Sequence, residues 1–243
     1  MTLSPLTMEG LQRAIADGWR IAGLTRGIST VYALVFALGG LVIMGSLLAL
    51  GWTPFIIAAA GAFMLIGPVV LAGFFGIADA LEAGKSVGTA SIFRGFAQAS
   101  RAMWALALVC ALLFMIFVTD AAILYAYMVG ATPVWLSNML PADANVMSFV
   151  RWAGVSGLVV AFLLYCVAAF SVPLLCERRA GLVEAVVTSV RVVFANFMPA
   201  IFWAFFLSTV TIGSILLLPL LPLTLPWMAY ASRAVYRQVL PRV

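Results

Sequence analysis

The sequence predicts an all-α protein: a polytopic transmembrane helical bundle of about six spans, with three amphipathic helices along its cytoplasmic face. Three observations predict it. Of the 243 residues, 65% are hydrophobic and only 9% charged, and mean hydropathy is +1.19, whereas soluble domains carry roughly 25% charged residues. A water-soluble fold of this size cannot hide that much apolar surface. Uncharged stretches long enough to cross a bilayer, about 20 residues each, recur along the chain, and the basic residues are sorted between alternate connections.

The opening stretch, residues 1–20, is amphipathic and lacks an apolar core followed by a cleavage site. No cleaved signal peptide is expected, and the first span acts as the insertion signal. That span is Thr30 to Leu50, and Gly51, Trp52 and Thr53 make a tight turn into a second, about 54–77. A third covers Trp104 to Val129 and a fourth about 152–175. Phe197 to Tyr230 then runs for 34 residues without a charge. At about 1.5 Å per residue, one helix of that length would cross the hydrocarbon nearly twice. Pro219, Pro222 and Pro226 interrupt it, and proline removes a backbone donor and disfavours helix at the residue before it. The reading is two spans, 197–217 and 219–236, with a hairpin near Leu218–Pro219. A single kinked helix, giving five spans, is the alternative. All of 1–243 forms one membrane domain.

Charge placement favours six. Arg13, Arg20 and Arg26 precede span one; Lys85, Arg94 and Arg101 lie between spans two and three; Arg178, Arg179 and Arg191 lie between four and five; Arg233, Arg237 and Arg242 lie at the end. The opposite connections hold only Arg151. Basic residues stay on the cytoplasmic side, so both termini are expected there, which requires an even number of spans.

Each odd-numbered span has an amphipathic lead-in. Arg13, Asp17 and Arg20, then Arg94, Gln98 and Arg101, then Glu184, Thr188 and Arg191 fall at i, i+4 and i+7, which is one face of a helix. Leu11, Ile15 and Trp19, then Ile92, Phe93 and Phe96, then Val183, Val186 and Val190 face the other way. These segments are expected at the cytoplasmic interface, with Arg20, Arg101 and Arg191, and Arg178 and Arg179 past span four, as lipid anchors in the headgroup layer. Lead-in helix plus hairpin then occurs three times, a threefold internal repeat. The non-cytoplasmic connection 130–148 carries Trp135, Asn138 and Asp143 and could contact a partner.

Chemistry-bearing motifs are absent. There is no His, and Cys110, Cys166 and Cys176 form no CxxC pair, so a metal cluster or disulfide framework is not expected. No catalytic triad, P-loop, dinucleotide fingerprint or HExxH is present, so no enzyme activity, catalytic residue or cofactor is expected. The net charge of +5 carries no basic patch interleaved with aromatics, which argues against nucleic acid. Asp120, inside MIFVTDAAILYAYM, is the candidate intramembrane polar site. Such a carboxylate is costly and serves a structural hydrogen bond, a proton or ion role, or a partner contact. Gly39, Gly40, the 58–62 run, Gly73 and Gly76 suit close helix packing.

Three stretches carry a resemblance: GLQRAIADGWR, GPVVLAGFFGIADALEAGKSV, and FSVPLLCERRAGLVEAVVTSVRVVFANFMP. Together they resemble a bacterial family of predicted integral membrane proteins of unknown function, some members of which carry a cytochrome c oxidase label. The resemblance implies six spans and an inner-membrane location, and brings no catalytic residues. Without histidine the chain lacks the usual ligands of a haem–copper subunit. The function expected is therefore a cofactor-free accessory, assembly or stabilising subunit of a larger membrane complex, with a respiratory complex as one candidate. Its partners would be membrane lipids and other membrane subunits. The alternative is a small-solute or ion permease or channel.

Overall fold

The computed structural model describes residues 4–52, 55–56, 67–130 and 144–241. Within them the chain is helical throughout, in ten α-helices and one 3-10 turn. Helix α1 (Met8–Leu24) leads into α2 (Arg26–Ala49), and α3 (Gly67–Glu82) follows. Next come α4 (Thr89–Gln98), α5 (Arg101–Met128), α6 (Ala144–Ala168) and the short α7 (Ser171–Cys176). Helix α8 (Leu182–Ala195) leads into α9 (Phe197–Leu216), a 3-10 turn (Leu218–Leu220) and α10 (Leu221–Val239).

Among the described residues, four segments are long and apolar enough to cross a membrane: Arg26–Ala49, Arg101–Met128, Ala144–Cys176 and Phe197–Leu216. Their outer faces are mostly hydrocarbon, for example Val42, Ile116, Leu158 and Phe205, each at least 65% exposed. Much of the expected second span, the 58–62 small-residue run and most of the 130–148 connection lie outside the described residues, as does Arg242. The start of α6 at Ala144 makes the end of that connection helical. The last apolar run does divide at Leu218–Pro219, as its prolines require. Helix α10 carries Pro222 in its first turn and Pro226 inside, and its second half holds Arg233 and Arg237.

The fourth expected span is broken between Ala168 and Ser171. Pro173 explains the break, because its ring meets the carbonyl four residues back, at Ala169, and it has no N–H to give it. The polar groups freed at the break are taken up from α8. The Ser189 hydroxyl donates to the Cys166 carbonyl (2.7 Å) and accepts from the Phe170 N–H (3.1 Å). Ser171 Oγ donates back to the Val167 carbonyl.

Helices α1 and α8 form where the polar periodicity places them, but the second lead-in ends at Gln98 and Ser100 caps a new helix from Arg101, so Arg101 does not share a helix face with Arg94 and Gln98. Each of the three amphipathic helices packs on protein through part of its apolar face. Helix α1 lies antiparallel to the second half of α10, which it approaches through Gly10, Ala14 and Gly18. A Cβ on Gly18 would stand 2.6 Å from the Ala231 nitrogen. Trp227 Nε1 donates to the Ile15 carbonyl (3.0 Å) and Gln238 Nε2 to the Gly10 carbonyl (3.0 Å). Helix α4 meets α3 backbone to backbone at Gly95 and Gly76, where any side chain would strike the opposing helix. Leu11 and Ile92 are buried, while Trp19, Phe93 and Val183 stay exposed.

Where α1 turns into α2, Thr25, Ser29 and the fully buried Tyr230 share a hydroxyl cluster, with Ser29 Oγ 2.7 Å and Thr25 Oγ1 3.2 Å from the Tyr230 oxygen. An unpaired hydroxyl in such a site would cost about 1–3 kcal/mol, so this cluster fixes the angle between α1, α2 and α10.

Candidate functional site

The charges that matter lie at one end of the bundle, where α3, α7 and α10 finish side by side. Asp79 and Glu82 stand at i and i+3 on α3, and Arg233 and Arg237 at i and i+4 on α10, so each pair shares a helix face. Arg233 is the buried member, with a side chain 4% exposed against 39% for Asp79 and 41% for Glu82. Its Nη1 donates to Glu82 Oε1 (2.8 Å) and its Nη2 to Glu82 Oε2 (3.2 Å) and Asp79 Oδ1. Arg237 Nη1 reaches Glu82 Oε1 at 2.6 Å, and its Nη2 lies 3.6 Å from Glu177 Oε1 and 3.8 Å from Asp79 Oδ1. Tyr236 donates to Glu177 Oε2 (3.0 Å) and accepts from Arg179 Nη1 (2.9 Å). Three carboxylates and three guanidiniums are thereby joined across three segments far apart in sequence. Burial alone would raise the Glu82 carboxyl, but the hydrogen bond from Arg237 and the charges of Arg233 and Arg237 outweigh it and hold its pKa below the usual value. A buried charge is tolerated only when paired and hydrogen-bonded, and this network meets that condition for Arg233.

Two chain reversals build the rim. After α3, the Lys85 N–H bonds the Ala80 carbonyl (2.9 Å) and the Gly84 N–H the Leu81 carbonyl (3.0 Å), with Gly84 at φ +63. This is the left-handed helix stop that glycine favours. After α7 the same pair of bonds recurs: Arg179 N–H to the Leu174 carbonyl (3.0 Å) and Arg178 N–H to the Leu175 carbonyl (3.2 Å). Here an arginine, Arg178 at φ 54, occupies the left-handed position. The turn sends two neighbouring guanidiniums in different directions. Arg178 donates to the Gln98 and Ala97 carbonyls (2.7 and 3.2 Å) at the end of α4. Arg179 donates to the Leu240 and Pro241 carbonyls (2.8 and 2.9 Å) at the end of α10. Cations suit helix C-termini, whose last carbonyls lack partners.

Two adjoining clefts open at this end. The larger, about 750 Å³, is lined by Asp79, Arg94, Gln98, Glu177, Arg178 and Arg179 among others. The smaller, about 460 Å³, shares Asp79, Arg94 and Gln98 and adds Glu82 and Lys85.

The residues singled out from sequence are distributed differently. Arg178 and Arg179 belong to this end and hold two helix termini. Arg20 pairs with Asp17 on the exposed face of α1 (3.2 Å), and Arg101 and Arg191 are exposed at the start of α5 and on α8. Asp120 is exposed on α5, away from the network, and no hydrogen bond or ion pair reaches it among the described residues. Asp79, Glu82 and Arg233 were missed as a group. Arg233 reads in sequence as one of several tail arginines, although its place beside an uncharged helix is a signal that it needs buried partners. No group of three or more His, Cys, Asp or Glu with metal-binding geometry occurs among the described residues.

Bare apolar outer faces, hydroxyls bonded within the bundle and a paired charge network at one end together define a helical integral membrane protein. Residues 55–177 match the family of predicted integral membrane proteins DUF2189, and the chain belongs to that family. The matched stretch contains Asp79, Glu82 and Glu177; the arginines of α10 that neutralise them lie beyond it. Neither a curated protein nor a solved structure matches the chain.

Proposed function

We propose that the protein is a cofactor-free, multi-pass inner-membrane subunit that assists assembly or stability of a larger membrane complex through its helix faces. One observation carries this reading. The buried hydroxyls of Thr25, Ser29, Tyr165, Ser189 and Tyr230 are bonded within the chain, while the outer faces of α2, α5, α6 and α9 are largely apolar, interrupted by Asp120 on α5 and Arg151 on α6. Tyr165 donates to the Ala200 carbonyl (2.8 Å), and Thr224 to Ser214 (2.7 Å). Hydroxyls paired in this way do not line a path, whereas largely apolar faces suit helix–helix contact.

In this reading six spans are completed by α3 with the residues before it and by α10. Both termini and the charged end face the cytoplasm, and lead-in helix plus hairpin is a unit used three times. The matching stops at Gly84 and Arg178 support the repeat. Arg20 and Arg191 anchor the lead-ins, and Arg101 the start of α5, in the headgroup layer.

Mild detergent extraction followed by native-size analysis is the test. A discrete assembly with co-migrating subunits is expected; a monodisperse lone chain would overturn the reading. Reporter tags at the two ends should both mark the cytoplasmic side. The channel alternative draws on the large cleft with Asp79 and Glu177 in its wall. It requires that Asp120→Asn or Glu177→Gln change ion flux in reconstituted vesicles.

A further inference from the structure

The charges at the cytoplasm-facing end do not balance. Arg233, Arg237 and Arg179 neutralise Asp79, Glu82 and Glu177 by direct contact or ion pairing. Lys85, Arg94 and Arg178 remain around the two clefts. Arg178 is turned onto carbonyls. Arg94 bonds only within its own helix, Nε to the Ala90 carbonyl (3.2 Å) and Nη2 to Ser91 Oγ (3.5 Å). No carboxylate lies within ion-pair distance of Arg94 or of the Lys85 ammonium among the described residues. Arg94 lines both clefts, beside the Gln98 amide, and Lys85 lines the smaller. A concave site of ligand size, roughly 300–1,000 Å³, thus carries excess positive charge, a guanidinium fork and an ammonium. That set recognises a phosphate group.

We propose that the clefts between the α3–α4 turn and the α7–α8 turn form a binding site for a phosphate ester, held by Arg94 and Lys85 with Gln98 alongside. The chemistry is shared by an anionic glycerophospholipid headgroup and a soluble phosphate monoester. The acids in the wall do not repel it, because each is already paired with an arginine from α10 or the α7–α8 turn. The site stands whether or not the protein is an assembly subunit.

The test uses the full chain in mild detergent, followed by native mass spectrometry with phosphatidylglycerol or phosphatidylcholine and, separately, thermal unfolding with glycerol phosphate. The variants are Arg94→Gln with Lys85→Gln, and Gln98→Glu, which adds a negative charge at the same wall. Each cation removed should weaken retention about fivefold, the effect of one basic residue at an anionic surface. Preferential retention of phosphatidylglycerol, lost in the double variant, identifies a lipid headgroup site. Stabilisation by glycerol phosphate, lost in the same variant and without lipid preference, identifies a soluble ester site. Equal behaviour of wild type and Gln98→Glu in both arms overturns the proposal, even if the double variant fails to fold. Equal behaviour of a folded double variant does so too.

Discussion

Arg178 offers a measurement in which two effects of one residue have opposite signs. Its backbone sits at φ 54, a region that costs a residue with a Cβ about 1 kcal/mol more than glycine. Its side chain makes two charge-assisted bonds to the last carbonyls of α4, at 2.7 and 3.2 Å. These are solvent-exposed, which reduces them to about 0.5 kcal/mol each. Arg178→Ala removes both bonds and keeps the strained backbone, so a loss of about 1 kcal/mol is expected. Arg178→Gly removes the same bonds and relieves the strain, so its stability should lie near wild type. The difference between the variants isolates the backbone contribution at about 1 kcal/mol, or roughly 2–4 °C in Tm for a chain of this length. Thermal unfolding in a single detergent, with both variants side by side, reads it directly. A glycine variant no more stable than the alanine variant would show that the left-handed turn carries no strain. Hydrogen exchange at residues 94–99 should rise in both variants, because the end of α4 loses its cap either way.

Arg233→Ala removes the buried cation that Asp79 and Glu82 share and should cost about 3 kcal/mol, the lower end of the range for a broken buried pair because both acids are partly solvated. Arg233→Met with Asp79→Asn and Glu82→Gln should recover most of that in the same unfolding assay. Glu82 is held below its ordinary pKa in the folded state. Its contribution is therefore full above the unfolded carboxylate pKa of about 4.3 and lost as pH falls through the lower folded value. Stability followed from pH 7 to about pH 3 should decline less steeply in Glu82→Gln. Tyr230→Phe should cost about 1 kcal/mol and Ser29→Ala a similar amount, with the double variant losing less than the sum, as a double-mutant cycle would record. Gly95→Leu, at the α3–α4 backbone contact, should lose about 3 kcal/mol or more, while Gly23→Leu, which meets open space, should be tolerated on thermal unfolding.

Local pattern made much of the architecture legible. Apolar run length placed α2, α5 and α9 to within a few residues, and polar residues at i, i+4 and i+7 placed α1 and α8; in α4 the pattern ran one turn too far, because Arg101 opens α5 after the Ser100 cap. Pro219 and Pro222 fixed the break before α10. The division of α6 from α7 was equally available at Pro173, but continuous hydropathy across Ala168–Ser171 masked it. The charge network was not legible, since Arg233 and its acids lie 151 and 154 positions apart and no local period links them. Asp120 drew attention because it interrupts an apolar run. The structure instead brings together acids that sit inconspicuously at a helix end, where hydropathy treats them as ordinary boundary residues.

The two helix stops explain why the charges collect at one end. Gly84 and Arg178 occupy the same position in the same bonding pattern, at the ends of α3 and α7, and α10 ends beside them. A chain that reverses twice and ends its last helix at one level brings three sets of carbonyls and three sets of boundary charges together. Carbonyls at helix ends attract cations, and Arg178 and Arg179 answer that demand at α4 and α10. The acids of α3 are then left to face α10, where only a paired arginine can be buried. Arg233 thus acts as a tie between α3 and α10: it is worth its desolvation only when both are in place. A truncation ending before α10 should deprive Asp79 and Glu82 of the α10 arginines and leave α3 unanchored, so the network couples docking of the last helix to closure of the bundle.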